Sequence, residues 1–115
     1  MTRFEILSEC FRIIKQKYKI FDGIAPANTN DAKYVVIGQT QETLSADLSQ
    51  NSRNFFVTFD LWSSYNGKKE VYKMADEIEN MLWNLGDLSS LLVVRDSSGF
   101  YHGVLEMQFI FEKGE

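Results

Sequence analysis

The stretch Phe59-Asp60-Leu61-Trp62-Ser63-Ser64-Tyr65-Asn66-Gly67-Lys68-Lys69-Glu70-Val71-Tyr72 decides the fold. Its first part belongs to an alternating run. Phe55, Val57, Phe59 and Leu61 share one side, and Phe56, Thr58, Asp60 and Trp62 the other, the period-2 pattern of a strand. Ser63 to Gly67 is turn chemistry. The period then changes. Val71, Met74, Ala75, Ile78, Met81, Leu82 and Leu85 recur at helical spacing, in a helix that Asn66 or Gly67 starts and Gly86 ends. Glu70, Lys73, Asp76, Glu77, Glu79 and Asn80 take its wet face. A strand therefore hands over to an amphipathic helix through one short turn.

Working outward, Thr2-Arg3-Phe4-Glu5 reads as a capping box at the start of a helix that spans roughly Thr2 to Tyr18. Phe4, Leu7, Phe11, Ile14 and Tyr18 form its expected apolar stripe, with Cys10 beside it. Tyr34-Val35-Val36-Ile37-Gly38 is a strand apolar on both faces, and Leu91 to Arg95 is a short buried run. Leu105, Met107, Phe109 and Phe111 alternate with Glu106, Gln108, Ile110 and Glu112. Asp96-Ser97-Ser98-Gly99 reads as a type I turn with Gly in the left-handed position. The register of that hairpin stays open, because a two-residue loop would move Leu92 and Val94 to the opposite face. The order is helix, short strand, strand, strand, helix, strand, strand. It predicts an α+β fold: two helices packed on one face of a mostly antiparallel β-sheet, a two-layer sandwich.

At 115 residues the chain is expected to form one domain, 1–115, burying roughly 65% of its unfolded surface without metals or disulfides. A single Cys cannot make an internal disulfide. Thr2, Arg3 and Glu5 interrupt any apolar leader, and no apolar run approaches the ~20 residues of a membrane span, so neither signal peptide nor membrane contact is expected. Twelve basic and sixteen acidic residues give a net charge of −4, which argues against tight nucleic-acid binding. Two stretches fall outside the packed pattern. Asp22 to Lys33 holds the only Pro, and Gln39 to Asn54 has only Leu44 and Leu48 to bury. Both read as loops longer than the usual ~4–6 residues.

A search for reactive chemistry yields little. His102, the only His, lies beside the hairpin turn and reads as a solvated side chain. No His or Cys cluster has metal-ligand spacing. Cys10 reads as core packing. Asp60 and Glu106 could pair as acid and base, but nothing brings them together. There is no Gly-rich phosphate loop. The expectation is a protein that is not an enzyme, with no cofactor and no metal. The positive signals are for contact. Phe56, Thr58, Asp60 and Trp62 mix large aromatics with polar groups, as a face does when water covers it only part of the time. The alternative is that Phe56 and Trp62 pack under the loops as a satellite cluster. Trp83, off the helical stripe, has the same two readings.

Tyr34 to Gly38, the passage Phe59 to Glu70, and the segment Asp96-Ser97-Ser98-Gly99-Phe100-Tyr101-His102-Gly103-Val104-Leu105 together resemble the tail terminator, or tail completion (tail-to-head joining), family of long-tailed phages and prophages. The likeness covers nearly the whole chain in element order and length, and none of its motifs is catalytic. It implies a structural virion protein that forms a ring, typically hexameric, at the head-proximal end of the tail tube. Such a ring stops tube growth and offers the head its docking surface. The implied partners are further copies of the chain, the major tail tube protein and a head-completion or connector protein. DNA would pass through without specific binding. The implied location is the virion tail, and the host cytoplasm during assembly. The resemblance also implies long loops that order on assembly.

Residues that suit subunit or tube contact are Phe56, Trp62 and Tyr65. Glu42 and Asp47 suit the lining of a lumen that repels phosphate, with Arg53 closing that loop in the opposite sign. A small α+β ligand-binding or regulatory domain, or a head-completion connector component, is the alternative reading.

Overall fold

A computed structural model describes residues 1–25, 32–44, 52–65 and 67–112. The element order is α1 (Arg3–Ile14), β1 (Lys19–Asp22), β2 (Lys33–Leu44), β3 (Ser52–Ser63), α2 (Lys69–Met81), β4 (Asp87–Arg95) and β5 (Tyr101–Glu112). The five strands form one sheet in the order β1-β2-β3-β5-β4. Only β1 and β2 pair in parallel; the other ladders are antiparallel. The fold is α+β, as the period change predicts.

One face of the sheet and both helices enclose the core. Phe55, Val57, Phe59 and Leu61 of β3 and Leu105, Met107, Phe109 and Phe111 of β5 are buried there. Val71, Met74, Ala75, Ile78 and Leu82 come down on them from α2 and its C-terminal turn. The helical stripe and the strand alternation therefore meet as the sequence predicts.

Helix α1 is phased differently from expectation. The capping box is present: Thr2 Oγ1 accepts from the Glu5 N–H at 3.1 Å, and Glu5 Oε1 accepts from the Thr2 N–H at 2.9 Å. The buried residues, however, are Ile6, Cys10 and Ile14, while Phe4 is 77% exposed. Leu7 and Phe11 lie on the flank, only partly covered. The helix is apolar around more than half its circumference, so two stripes compete. The narrower side chains Ile6 and Cys10 allow a closer approach to the sheet than Phe4 and Phe11 would. The helix also stops at Ile14 rather than at Tyr18. Tyr18 is nevertheless buried, beyond the last turn, and its hydroxyl donates to Glu77 Oε2 at 2.8 Å.

The long middle loop is a second correction. Strand β2 runs on to Leu44 and β3 begins at Ser52, so much of Gln39 to Asn54 is strand. A bulge between Ile37 and Thr40 lets β2 continue, and Thr40 to Leu44 then pair with Val57 to Arg53. Gln39, Thr40, Gln41, Thr43 and Leu44 are exposed, so no alternation marks this half of the strand. Likewise Asp22 closes β1 and Lys33 opens β2. Of the two expected loops, residues 26–31 and 45–51 lie outside the described residues, and so does the expected ordering of those loops on assembly.

The last hairpin is now in register. The Gly99 N–H donates to the Asp96 carbonyl at 3.1 Å and the Asp96 N–H to the Phe100 carbonyl at 2.7 Å. Gly99 has φ +93, a conformation that costs a glycine nothing. Arg95 pairs with Tyr101, which turns Leu91 and Val93 toward the core and leaves Leu92 60% exposed on the other side.

Candidate functional site

Both helices occupy one face of the sheet, and the opposite face is covered by neither. Cross-strand register places its residues in rows. Tyr34, Trp62 and His102 form one row across β2, β3 and β5; Val36, Asp60 and Val104 form the next; Gln41, Phe56 and Gln108 lie further along. Phe56 and Trp62, both expected at a contact surface, do share this face, although several rows separate them.

The first row carries an aromatic cluster. His102 stacks on Trp62 with ring centroids 4.0 Å apart and planes 4° from parallel. Tyr34 lies on the same Trp62 at 6.3 Å and 17°, and Phe100 meets both rings edge-on. Phe21 of β1 meets Tyr34 in the same way at 6.1 Å. His102 Nε2 lies 2.9 Å from Asp60 Oδ1. That distance to a carboxylate oxygen means that Nε2 carries the proton. His102 is therefore not the solvated side chain that its place beside a turn suggests; its side chain is 20% exposed. Trp62 is half-buried, so it is part of a surface cluster and not of the main core.

Gly38 sits under this network, at the bulge. A Cβ on Gly38 would lie 2.6 Å from Asp60 Oδ2, so the missing side chain leaves the carboxylate its room. Asp60 and Glu106 have separate partners: Glu106 Oε1 accepts from Ser89 Oγ at 2.8 Å, while Asp60 serves His102. The two carboxylates are not joined.

Glu42 and Arg53 come together, but not on a loop. They lie in β2 and β3 on the helix side of the sheet. Arg3 Nη2 donates to Glu42 Oε2 at 2.8 Å and Arg3 Nε to Oε1, a bidentate grip, and Arg53 Nε lies 3.6 Å from Oε2. The Arg3 guanidinium also sits 5.3 Å from the centre of the Phe111 ring. Glu42 is thus paired with two arginines, and it stands on a strand and not on a loop. Asp47 lies outside the described residues. Tyr65 stands past the end of β3, 50% exposed, with Lys33 Nζ 5.6 Å from its ring centre. Trp83 is 77% exposed on the last turn after α2, so it is a surface side chain.

Sequence reading missed Tyr34, Phe100 and His102 as members of the Trp62 cluster. Each is an aromatic or a His on a strand or at its end, and only the cross-strand register unites them. Cys10 is as expected: it is fully buried, and burial pushes its thiol up to about 12. Among the described residues, no helix is long and apolar enough to cross a membrane.

This geometry defines a class: a two-layer α+β domain with both helices on one face of the sheet and an aromatic cluster on the other. No family model and no curated protein matches the sequence. Among solved structures, the chain is similar to a chain of the virion of the native gene transfer agent (GTA) particle, with a TM-score of 0.60 and 12% identity. The match covers 95% of this chain and 90% of that one. At this identity the likeness establishes a shared fold.

Proposed function

We propose that this chain is a structural virion protein that forms a ring, hexameric as in the family it resembles, at the head-proximal end of a phage tail tube. In that place it stops tube polymerisation and presents the surface to which the head docks. The observation that carries the reading is the end-to-end fold likeness to a chain of a phage-like virion particle, 95% of one chain against 90% of the other. It agrees with the resemblance of the strand-to-helix passage Phe59 to Glu70 and of the last hairpin to tail terminators. The protein is not an enzyme in this reading. Its partners are further copies of itself, the major tail tube protein and a head-completion or connector protein.

Physical features support the assignment. Among the described strands β4 is an edge of the sheet, and edges of that kind pair readily with another chain. A head-to-tail contact between unlike edges closes into a ring when its rotation permits. A net charge of −4 lets DNA slide through such a ring without being held.

Electron microscopy of the purified protein, alone and mixed with tail tubes, tests the reading. The expected result is rings on one end of each tube and tubes that no longer grow when tube subunits are added. Tubes that elongate unchanged, with no protein at their ends, would overturn it.

A further inference from the structure

Beside the Trp62 cluster the open face holds a recess of about 290 Å³ that the ring reading does not use. Tyr34 and Trp62 form aromatic walls, Ile24, Ala25 and Val36 form aliphatic ones, and among the described residues Asp60 supplies the only charge in the lining. The Asp60 carboxylate is held in place. Oδ1 accepts from His102 Nε2 at 2.9 Å, and Oδ2 rests over the bare Cα of Gly38. Among the described residues, none donates a hydrogen bond to Oδ2 and no lysine or arginine lines the recess. The Asp60 side chain is 25% exposed, so water screens it only partly.

A carboxylate with an oxygen that no described residue hydrogen-bonds, beside two aromatic rings and otherwise apolar walls, favours a cation. A cation gains a charge-assisted hydrogen bond there, and the neighbouring aromatic rings favour it over an anion. The aliphatic walls suit the stem of a long basic side chain, which buries its methylenes while its head stays polar. We infer that this recess receives the side chain of an arginine or lysine presented by a protein partner, with Asp60 as the counter-charge and Tyr34 and Trp62 as the walls. The inference does not depend on the ring: it would hold for any protein partner on this face.

The test uses the fluorescence of Trp62 in the full chain carrying Trp83→Phe, a change at an exposed position that leaves Trp62 as the only indole. The probes are arginine and lysine capped as N-acetyl amides, with capped citrulline as the uncharged analogue of arginine. Saturable change with the two cations is expected. It should weaken about tenfold or more for capped citrulline, and likewise for the cations on Asp60→Asn. Citrulline binding as well as arginine, or no saturable change with either cation, would overturn the inference. The citrulline comparison is made with Asp60 intact, so it stands even if Asp60→Asn fails to fold. Agmatine, a free small cation, binding about tenfold more tightly than capped arginine would overturn the protein side chain as the source.

Discussion

Phe59 and Trp62 belong to the same strand and are both large aromatics, yet Phe59 is fully buried while Trp62 is half-open. The difference lies in what stands opposite. Phe59 points to the side where α2 lays down Met74 and Ile78, so dry carbon meets it on every side. Trp62 points to the side without a helix and is covered only by its neighbours in the sheet, His102, Tyr34 and Phe100. Burial in this protein is therefore decided by the layer above a residue more than by the residue itself. On the open face, polar groups survive because rings stack around them. On the covered face, the centre is apolar and the polar groups Glu42, Arg53 and Ser63 stand toward the strand ends.

The sharpest way to break this comparison is to remove the ring on the covered side. Phe59→Ala should cost about 3–5 kcal/mol, since it leaves a cavity that the surrounding β3, β5 and α2 side chains cannot fill. Urea unfolding measures it. A loss under about 1 kcal/mol would mean that the core is not closed around Phe59. The same core holds Cys10 of α1, whose thiol burial pushes up to about 12. In the native protein at pH 8 it should resist a thiol-specific reagent until the chain unfolds. The sign for stability follows: the folded state keeps the proton longer than the unfolded state. This contribution is therefore intact below the ordinary thiol range and is lost as pH climbs from about 9 toward 12. Rapid labelling of the folded protein would place Cys10 on the surface.

On the open face the expected effect is smaller. Trp62→Ala removes a half-buried ring and its stacking partners, which should cost about 1–2 kcal/mol, well below the Phe59 figure. The variant should remain folded by circular dichroism. In the ring reading it should also cap tail tubes less well, because contact surfaces rely on Trp more than on most residues. A loss equal to that of Phe59→Ala would erase the distinction between the faces. A variant as stable as the parent that caps tubes normally would remove Trp62 from the contact surface.

How much of this was legible in the sequence follows the same division. α2, β3 and β5 each have one covered face, so a periodic pattern had to be written into them, and it reads directly as Val71-Met74-Ile78 or Phe55-Val57-Phe59. In the second half of β2 only Glu42 is partly covered, and its neighbours Gln39, Thr40, Gln41, Thr43 and Leu44 are exposed. Gln39 to Thr43 therefore show no alternation, and a strand reads as a loop. α1 fails for the opposite reason, because Phe4-Leu7-Phe11 and Ile6-Cys10-Ile14 are both plausible stripes and only the space beneath the helix chooses. The aromatic site was half legible. Trp62 and Asp60 stand on one face by strand parity alone. His102 could join them only once the turn at Asp96 to Gly99 set the hairpin register, since a shift of one residue would have sent it to the other side.

The smallest expected effect tests whether charge adds to the covered side at its margin. Glu77 of α2 accepts the Tyr18 hydroxyl at 2.8 Å and pairs with Lys17. The Lys17 bond first, and then the Tyr18 bond, hold its carboxyl below the usual carboxylate range. A lowered folded value means that the unfolded state takes up its proton first. The contribution is therefore present above the ordinary range for a glutamate and lost as pH falls through and below that range. With 34% of the Glu77 side chain exposed, water screens the Lys17 pair, and the whole effect should stay under about 1 kcal/mol. Glu77→Gln keeps an acceptor for Tyr18 and removes only the charge. It should flatten the acid side of the stability profile slightly and leave stability at pH 7 almost unchanged. Tyr18→Phe should do the reverse: it removes a nearly buried hydroxyl from its partner and costs about the same at every pH where Glu77 is ionised. If Glu77→Gln proved the more damaging of the two at pH 7, the joint between α2 and the turn after α1 would be held by its ion pair and not by the tyrosine packed beneath it.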